Sequence, residues 1–273
     1  MKVFYKTDKG IVRTNNEDSL LVIPPWEKIA ISKDACLFIV ADGMGGHNAG
    51  EVASSLAMAY SQKWFEEFDS SKDISVEHVK DLITNANEEV WEYSQKHPET
   101  VGMGTTFTSI LFKGNKAIVG HIGDSRLYRF RNGQLTQLTN DHSLVGEQVK
   151  NGNLTPEQAR VHPARNILSR VLGARQFITP DIFEIEVTVS DRFLLCSDGV
   201  YSMLPEDGIK KILLENPIEN WAQNLIEEAN KAGGKDNSTI IALEITEFPL
   251  KIPGKFSLSR IISVIKDFFR NNK

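Results

Sequence analysis

The stretch FIVADGMGGHNAGE, residues 38–51, sets four glycines and Asp42 behind a hydrophobic run. Glycine at this density marks backbone that turns sharply or comes close to something. A phosphate-cradling loop, a metal site and a plain turn all compete for it. Spacing disposes of the first. Gly45 and Gly50 stand in GxxxxG register, but Glu51-Val52 follows where a nucleoside-triphosphate loop needs Lys and then Ser or Thr. A carboxylate there would repel the phosphate. A dinucleotide fingerprint also fails, because Gly43-Met44-Gly45-Gly46-His47-Asn48 lacks the final glycine.

Outward from this stretch, residues 36–41 (CLFIVA) read as a short buried strand. Ala53, Leu56, Ala57, Tyr60, Trp64 and Phe68 then recur at helical spacing, and Val79, Leu82, Ile83, Ala86, Val90 and Tyr93 share one face of a second helix. After these the period changes. Residues 106–112, 116–123, 126–138, 183–187 and 192–196 are strand-like, with Asn132-Gly133 as a two-residue hairpin signal. Helices at 206–215 and 220–231 precede a last strand at 238–245. This order predicts an α+β fold, with helix pairs on either side of a mainly antiparallel sheet system, and argues against alternating βαβ units. Residues 143–172 form a polar excursion in which Thr155-Pro156-Glu157-Gln158 has the form of a helix-opening capping box.

The chain has 273 residues, is 41% apolar and carries a net charge of −5, the profile of a globular protein with a sizeable core. That charge argues against nucleic acid as the partner, since phosphate backbones need a basic surface. Cys36 and Cys196 each sit inside an apolar run and read as buried reduced thiols. With no run approaching the about 18 apolar residues of a membrane span, and no secretory leader, a cytoplasmic location is expected.

Asp42 closes a hydrophobic strand, and it is not alone. Asp124 follows the strand at 117–122, Asp198 follows 192–196, Asp236 precedes 238–245, and Glu17-Asp18 opens a strand after Arg13. Brought to one sheet edge, these carboxylates would repel unless a cation lay among them. Oxygen ligands without His or Cys favour Mg²⁺ or Mn²⁺ over zinc.

In order along the chain stand GIVRTNNEDS, VADGMGGHNAGE, GMGTT, HIGDSRLYR, LTNDHS, LCSDG and GGKDNST. Through this ordered set, spanning residues 1 to about 245, the sequence resembles the metal-dependent Ser/Thr protein phosphatases, the protein phosphatase 2C-like or PPM family, in its bacterial form. The resemblance implies an αββα sandwich with a two-metal centre at one edge. In it Asp42 would bridge both ions, the Gly43 carbonyl and Glu17 with Asp18 would serve the second, and Asp198 and Asp236 the first. Asp124 with Asp198 matches the positions of a third, weaker ion. The implied activity is hydrolysis of phosphoserine and phosphothreonine in proteins by a hydroxide bridging two Mn²⁺ or Mg²⁺ ions, opposing a cognate Ser/Thr kinase, with Arg13 gripping the phosphate. Where many eukaryotic relatives carry a histidine after Asp-Gly, this chain has Met44. His47, three residues later, is compatible with proton donation, ligand support or loop structure.

Asn140-Asp141-His142-Ser143 is not read as a catalytic triad, because adjacent residues cannot face one another in triad geometry. By the resemblance, 143–172 is a flap beside the active site. Arg165, Asn166 and Arg170 within it are candidates for contact with an anionic substrate, with plain solvation as the competing reading. The expected layout is a monomer with a catalytic domain at 1–246 and a basic amphipathic tail at 247–273. Residues 251–273 carry six Lys or Arg against one Asp, and could pack on the domain, dock a partner or lie on an anionic membrane. The alternatives are a non-catalytic phosphopeptide-binding relative, which should have lost Asp42, Asp198 or Asp236, and a phosphatase dedicated to one signalling regulator.

Overall fold

The computed structural model describes residues 1–23, 35–45, 49–69 and 72–247, so His47 and the tail from 248 onward lie outside the described residues. The chain opens with β1 (Lys2–Asp8), β2 (Asp18–Ile23) and β3 (Cys36–Met44), followed by α1 (Ala49–Glu67) and α2 (Val76–Lys96). Strands β4 (Gly104–Thr105), β5 (Phe107–Lys113), β6 (Lys116–Ile122), β7 (Arg126–Arg131) and β8 (Gln134–Gln137) come next. Two short helices, α3 (Leu144–Lys150) and α4 (Pro156–Val161), lead to β9 (Asp181–Glu186) and β10 (Arg192–Cys196). The chain then forms α5 (Asp198–Tyr201), α6 (Glu206–Glu215), α7 (Trp221–Lys231) and β11 (Ser238–Glu244).

Local chemistry explains several boundaries. Thr155 caps α4, its hydroxyl accepting from the Gln158 amide at 3.2 Å while Gln158 Oε1 accepts from the Thr155 amide at 2.8 Å. Asn132 and Gly133 take φ of 52° and 74°, the backbone that lets a two-residue turn match the twist of β7 and β8. β3 runs three residues past the predicted 36–41, so Asp42 lies on the strand itself.

All strand pairs are antiparallel. One sheet runs β1-β11-β10-β7-β8; the other runs β2-β3-β5-β6-β9, with β4 paired to the end of β3. Alternation along each strand gives each sheet two apolar faces, and three buried clusters follow from that. Between the sheets lie Phe38, Phe112, Phe193 and Ile241, with the Phe112 and Phe193 rings edge-to-face at 5.6 Å. α1 and α2 cover the outer face of the β2–β9 sheet through Ala53, Ala57, Val79 and Ile83. α6 and α7 cover the other sheet, where Trp221 meets Phe130 edge-to-face at 5.6 Å. The result is the four-layer αββα sandwich.

Antiparallel pairing sets the end of one strand beside the start of the next. Asp18 at the start of β2 is thus opposite Asp42 near the end of β3. β3 then enters α1 through a backbone-to-backbone contact. A Cβ at Gly50 would lie 2.7 Å from the Gly43 carbonyl carbon and 2.8 Å from its oxygen. Gly→Ala inside a helix ordinarily stabilises by about 1 kcal/mol. Gly50→Ala should do the reverse and lower the melting temperature; an unchanged or raised value would show that this contact does not constrain the β3–α1 junction.

Candidate metal centre

Five strand ends bring their carboxylates to one edge. Asp18 and Asp42 come from the β2–β3 pair, Asp124 follows β6, Asp198 follows β10, and Asp236 precedes β11. Both sheets contribute, and hydrogen bonds stitch the contributions together. Ser197, after β10, donates to Asp18 Oδ2 across the sheets at 2.7 Å, and its hydroxyl accepts from the Thr239 amide at 2.9 Å. The Asp42 amide donates to Thr106 Oγ1 at 2.8 Å, and the Thr106 amide returns a bond to the Asp42 carbonyl at 2.8 Å. The Gly43 amide donates to the Glu17 carbonyl at 3.1 Å.

Asn237 clamps the loop between β1 and β2 to the start of β11. Its Nδ2 donates to the carbonyls of Lys9 and Asn15 at 2.9 and 2.8 Å, and its Oδ1 accepts from the Glu17 amide at 2.8 Å. Its own amide donates to Asp236 Oδ1 at 2.9 Å. Arg13, carried by that loop, reaches Asp236 Oδ2 with Nη2 at 2.7 Å, its side chain 48% exposed.

The electrostatics are those of an uncompensated acidic cluster. Burial, then the charges of Asp18, Asp198, Asp124 and Asp236, push Asp42 well above the usual carboxylate range. Burial and then Asp124 and Asp236 do the same to Asp198. Burial raises Asp18 to about 6 against the Ser197 hydrogen bond, and burial followed by Asp141 raises Asp124 to about 7. Burial also raises Glu17. Two carboxylate oxygens, Asp18 Oδ1 and Asp198 Oδ1, are buried without a hydrogen-bond partner. Orphaned buried oxygens are costly, and an oxygen-only set with raised pKa values fits hard divalent cations. Among the described residues no three His, Cys, Asp or Glu side chains stand close enough to enclose one ion; Asp236 is turned to Arg13 and Asp18 to Ser197.

The structure therefore brings together Arg13, Glu17, Asp18, Asp42, Gly43, Asp124, Asp198 and Asp236, while His47 lies outside the described residues. It separates the members of the Asp-His-Ser triplet. Asp141 pairs with Arg126 at 2.7 Å, His142 Nε2 lies 3.2 Å from Asp181, and the Ser143 hydroxyl caps α3 by accepting from Gly146 N. Arg170 pairs with Asp181 Oδ1 at 2.9 Å and donates to the Thr179 carbonyl at 3.1 Å. Thr106, Ser197 and Asn237 were not singled out from sequence. Ser197 and Asn237 are small polar residues flanking an acidic turn, and Thr106 lies in the GMGTT stretch; each is a weak signal whose partner is distant in the chain.

A family model described as Protein phosphatase 2C matches residues 13–234. The chain belongs to that family. It is 36% identical over 243 residues to the serine/threonine protein phosphatase PstP of Mycobacterium tuberculosis, the match covering 89% of this chain but 45% of that relative's length. It is 37% identical over 250 residues to the serine/threonine phosphatase stp of Listeria monocytogenes, covering 89% of this chain and 96% of the relative. A solved catalytic domain of PstP in complex with two manganese ions superposes with a TM-score of 0.78 at 34% identity, covering 90% and 98% of the two chains.

A carboxyl whose pKa rises on folding keeps its proton in the folded chain at a pH where the unfolded chain has lost it, so its contribution to stability falls as pH climbs between the two values. For Asp18 that window runs from 3.8 to about 6. Burial lowers His121 to about 4 and lowers His142, which acts in the opposite sense below pH 6.5. Comparison with a variant isolates the carboxyl. Metal-free Asp18→Asn should be more stable than wild type by about 2 kcal/mol at pH 7.5, with the difference shrinking toward pH 4. A pH-independent difference in denaturant midpoint would contradict the raised Asp18 pKa.

Proposed function

We propose that this chain hydrolyses phosphoserine and phosphothreonine monoesters in proteins, with a pair of Mn²⁺ or Mg²⁺ ions held by Asp42, Asp198, Asp236, Glu17, Asp18 and the Gly43 carbonyl. The observation carrying this is the gathering of Asp42 with Asp18, Asp124, Asp198 and Asp236, beside a half-exposed Arg13, in a chain of this family. When bound, such ions neutralise phosphoryl charge and supply a water acidic enough to attack at neutral pH.

The chain's own residues do the positioning. The Arg13 guanidinium, whose pKa is raised by its hydrogen bond to Asp236, is a planar fork suited to two phosphoryl oxygens. Asn237 fixes the loop that carries it. Thr106 and Ser197 hold Asp42 and Asp18 from opposite sheets. Asp236 is 31% exposed alongside Arg13, so this end of the cluster is open to solvent. Asp42, Asp198 and Asp236 are all present, which speaks against a non-catalytic phosphopeptide-binding relative. The two buried histidines near Asp124 are engaged elsewhere, His121 with Thr108 and the Asn140 carbonyl, His142 with Gly123 and Asp181. We place the catalytic unit at 1–246, acting as a monomer in the cytoplasm against a cognate Ser/Thr kinase. Among the described residues no helix is long and apolar enough to cross a membrane.

The test is turnover of p-nitrophenyl phosphate and of a phosphothreonine peptide with Mn²⁺, then after chelation. Both activities should vanish on chelation and return with Mn²⁺. Asp42→Asn should abolish turnover while leaving a folded protein. Arg13→Ala should lower kcat/KM on the peptide by roughly 100-fold. Turnover that survives complete metal removal, or near-normal rates in Asp42→Asn, would refute the reading.

A further inference from the structure

Between the acidic edge and the 143–172 segment lies a cluster of charged and aromatic residues that the proposed chemistry leaves unused. Arg126, two residues after Asp124, grips Asp141 with two arms: Nε donates to Oδ1 at 3.0 Å and Nη2 to Oδ2 at 2.7 Å. Nη1 donates to the Tyr128 hydroxyl at 2.9 Å, and Gln137 Nε2 donates to Asp141 Oδ1 at 3.0 Å. The guanidinium carbon sits 3.6 Å from the centroid of the Tyr201 ring, close enough for a strong cation–π contact. The Tyr201 hydroxyl in turn donates to the Asp124 carbonyl at 3.0 Å. Burial, and after it the charges of Asp124 and Asp141, keep the Tyr201 pKa high, so its hydroxyl stays a donor.

The placement of these residues is what matters. Tyr201 is the last residue of α5, the single turn that begins with Asp198. One phenol is therefore covalently near Asp198 and hydrogen-bonded to the backbone of Asp124. Asp141 lies at the root of the 143–172 segment. There the His142 amide donates to the Gly123 carbonyl at 2.7 Å, the Ser169 amide donates to the His142 carbonyl at 2.9 Å, and Ser143 bridges Leu168. We propose that Tyr201, braced by the Arg126–Asp141 pair, is a positioning residue that sets the spacing of Asp124 and Asp198 and ties the root of the 143–172 segment to the cation site.

This rests on the function proposed above, and its test separates the two. Mn²⁺ alone is titrated calorimetrically into the metal-free full-length chain, with metal-free thermal unfolding recorded alongside. Tyr201→Phe keeps the ring over Arg126 and removes only the tether. It should weaken Mn²⁺ binding at one or more sites by about fivefold, the factor expected for one hydrogen bond. Asp141→Asn, which loosens Arg126 without touching the phenol, should weaken binding in the same direction. Asp191→Asn is the control: it breaks a partly buried Arg–Asp pair at the far end of β7, where Arg131 Nη2 meets Asp191 Oδ2 at 2.6 Å. It should lower the melting temperature and leave Mn²⁺ binding intact. Tyr201→Phe or Asp141→Asn within twofold of wild type would overturn the assignment. So would equal weakening in Asp191→Asn, which would mean that general loosening is the cause. A wild-type chain that fails to bind Mn²⁺ would instead overturn the proposed function.

Discussion

The burial of several carboxylates side by side at one edge is the constraint on which the rest of this structure depends. Burial raises the pKa values of Asp18, Asp42, Asp124 and Asp198, and neighbouring carboxylates add to it: Asp236 at Asp18, Asp18 and Asp198 at Asp42, Asp141 at Asp124, and Asp124 and Asp236 at Asp198. A chain selected only for stability would not assemble them. The sandwich tolerates the cluster because the strain is confined to one edge, while three apolar layers, between the sheets and under each helix pair, supply the favourable burial. Asp18 and Asp42 oppose each other in the last rung of the β2–β3 ladder, while Asp124, Asp198 and Asp236 sit in the turns beyond strand ends.

The polar residues around the edge keep the acids from relaxing apart. Ser197 links one sheet to the other through Asp18, and Asn237 joins three points of the N-terminal loop to the start of β11. Gly43 and Gly50 pack backbone on backbone, which fixes how β3 delivers Asp42 to the edge. These contacts fix the backbone of the turns that carry the acids, while the Asp236 and Asp18 side chains are turned to Arg13 and Ser197.

Much of this was readable from the residues. The helices at 206–215 and 220–231, the Asn132-Gly133 hairpin and the capping box at Thr155 each rest on local chemistry, and local chemistry decided them. The acidic turns were visible because each aspartate abuts an apolar run. β1 was not anticipated: Val3 is its one fully buried side chain, and Tyr5 is exposed, so its alternation is faint. The roles of Asn237 and Ser197 were also hidden, since their partners lie roughly two hundred residues away in sequence.

If the acidic edge is a cation site, ions must displace protons from it. Calorimetric titration of Mn²⁺ into the metal-free chain near pH 6, repeated in buffers of different ionisation enthalpy, counts those protons directly. At least two ions should bind per chain with net proton release, both lost in Asp42→Asn. Mn²⁺ binding without proton release, or binding unchanged by Asp42→Asn, would contradict a cation site at this edge.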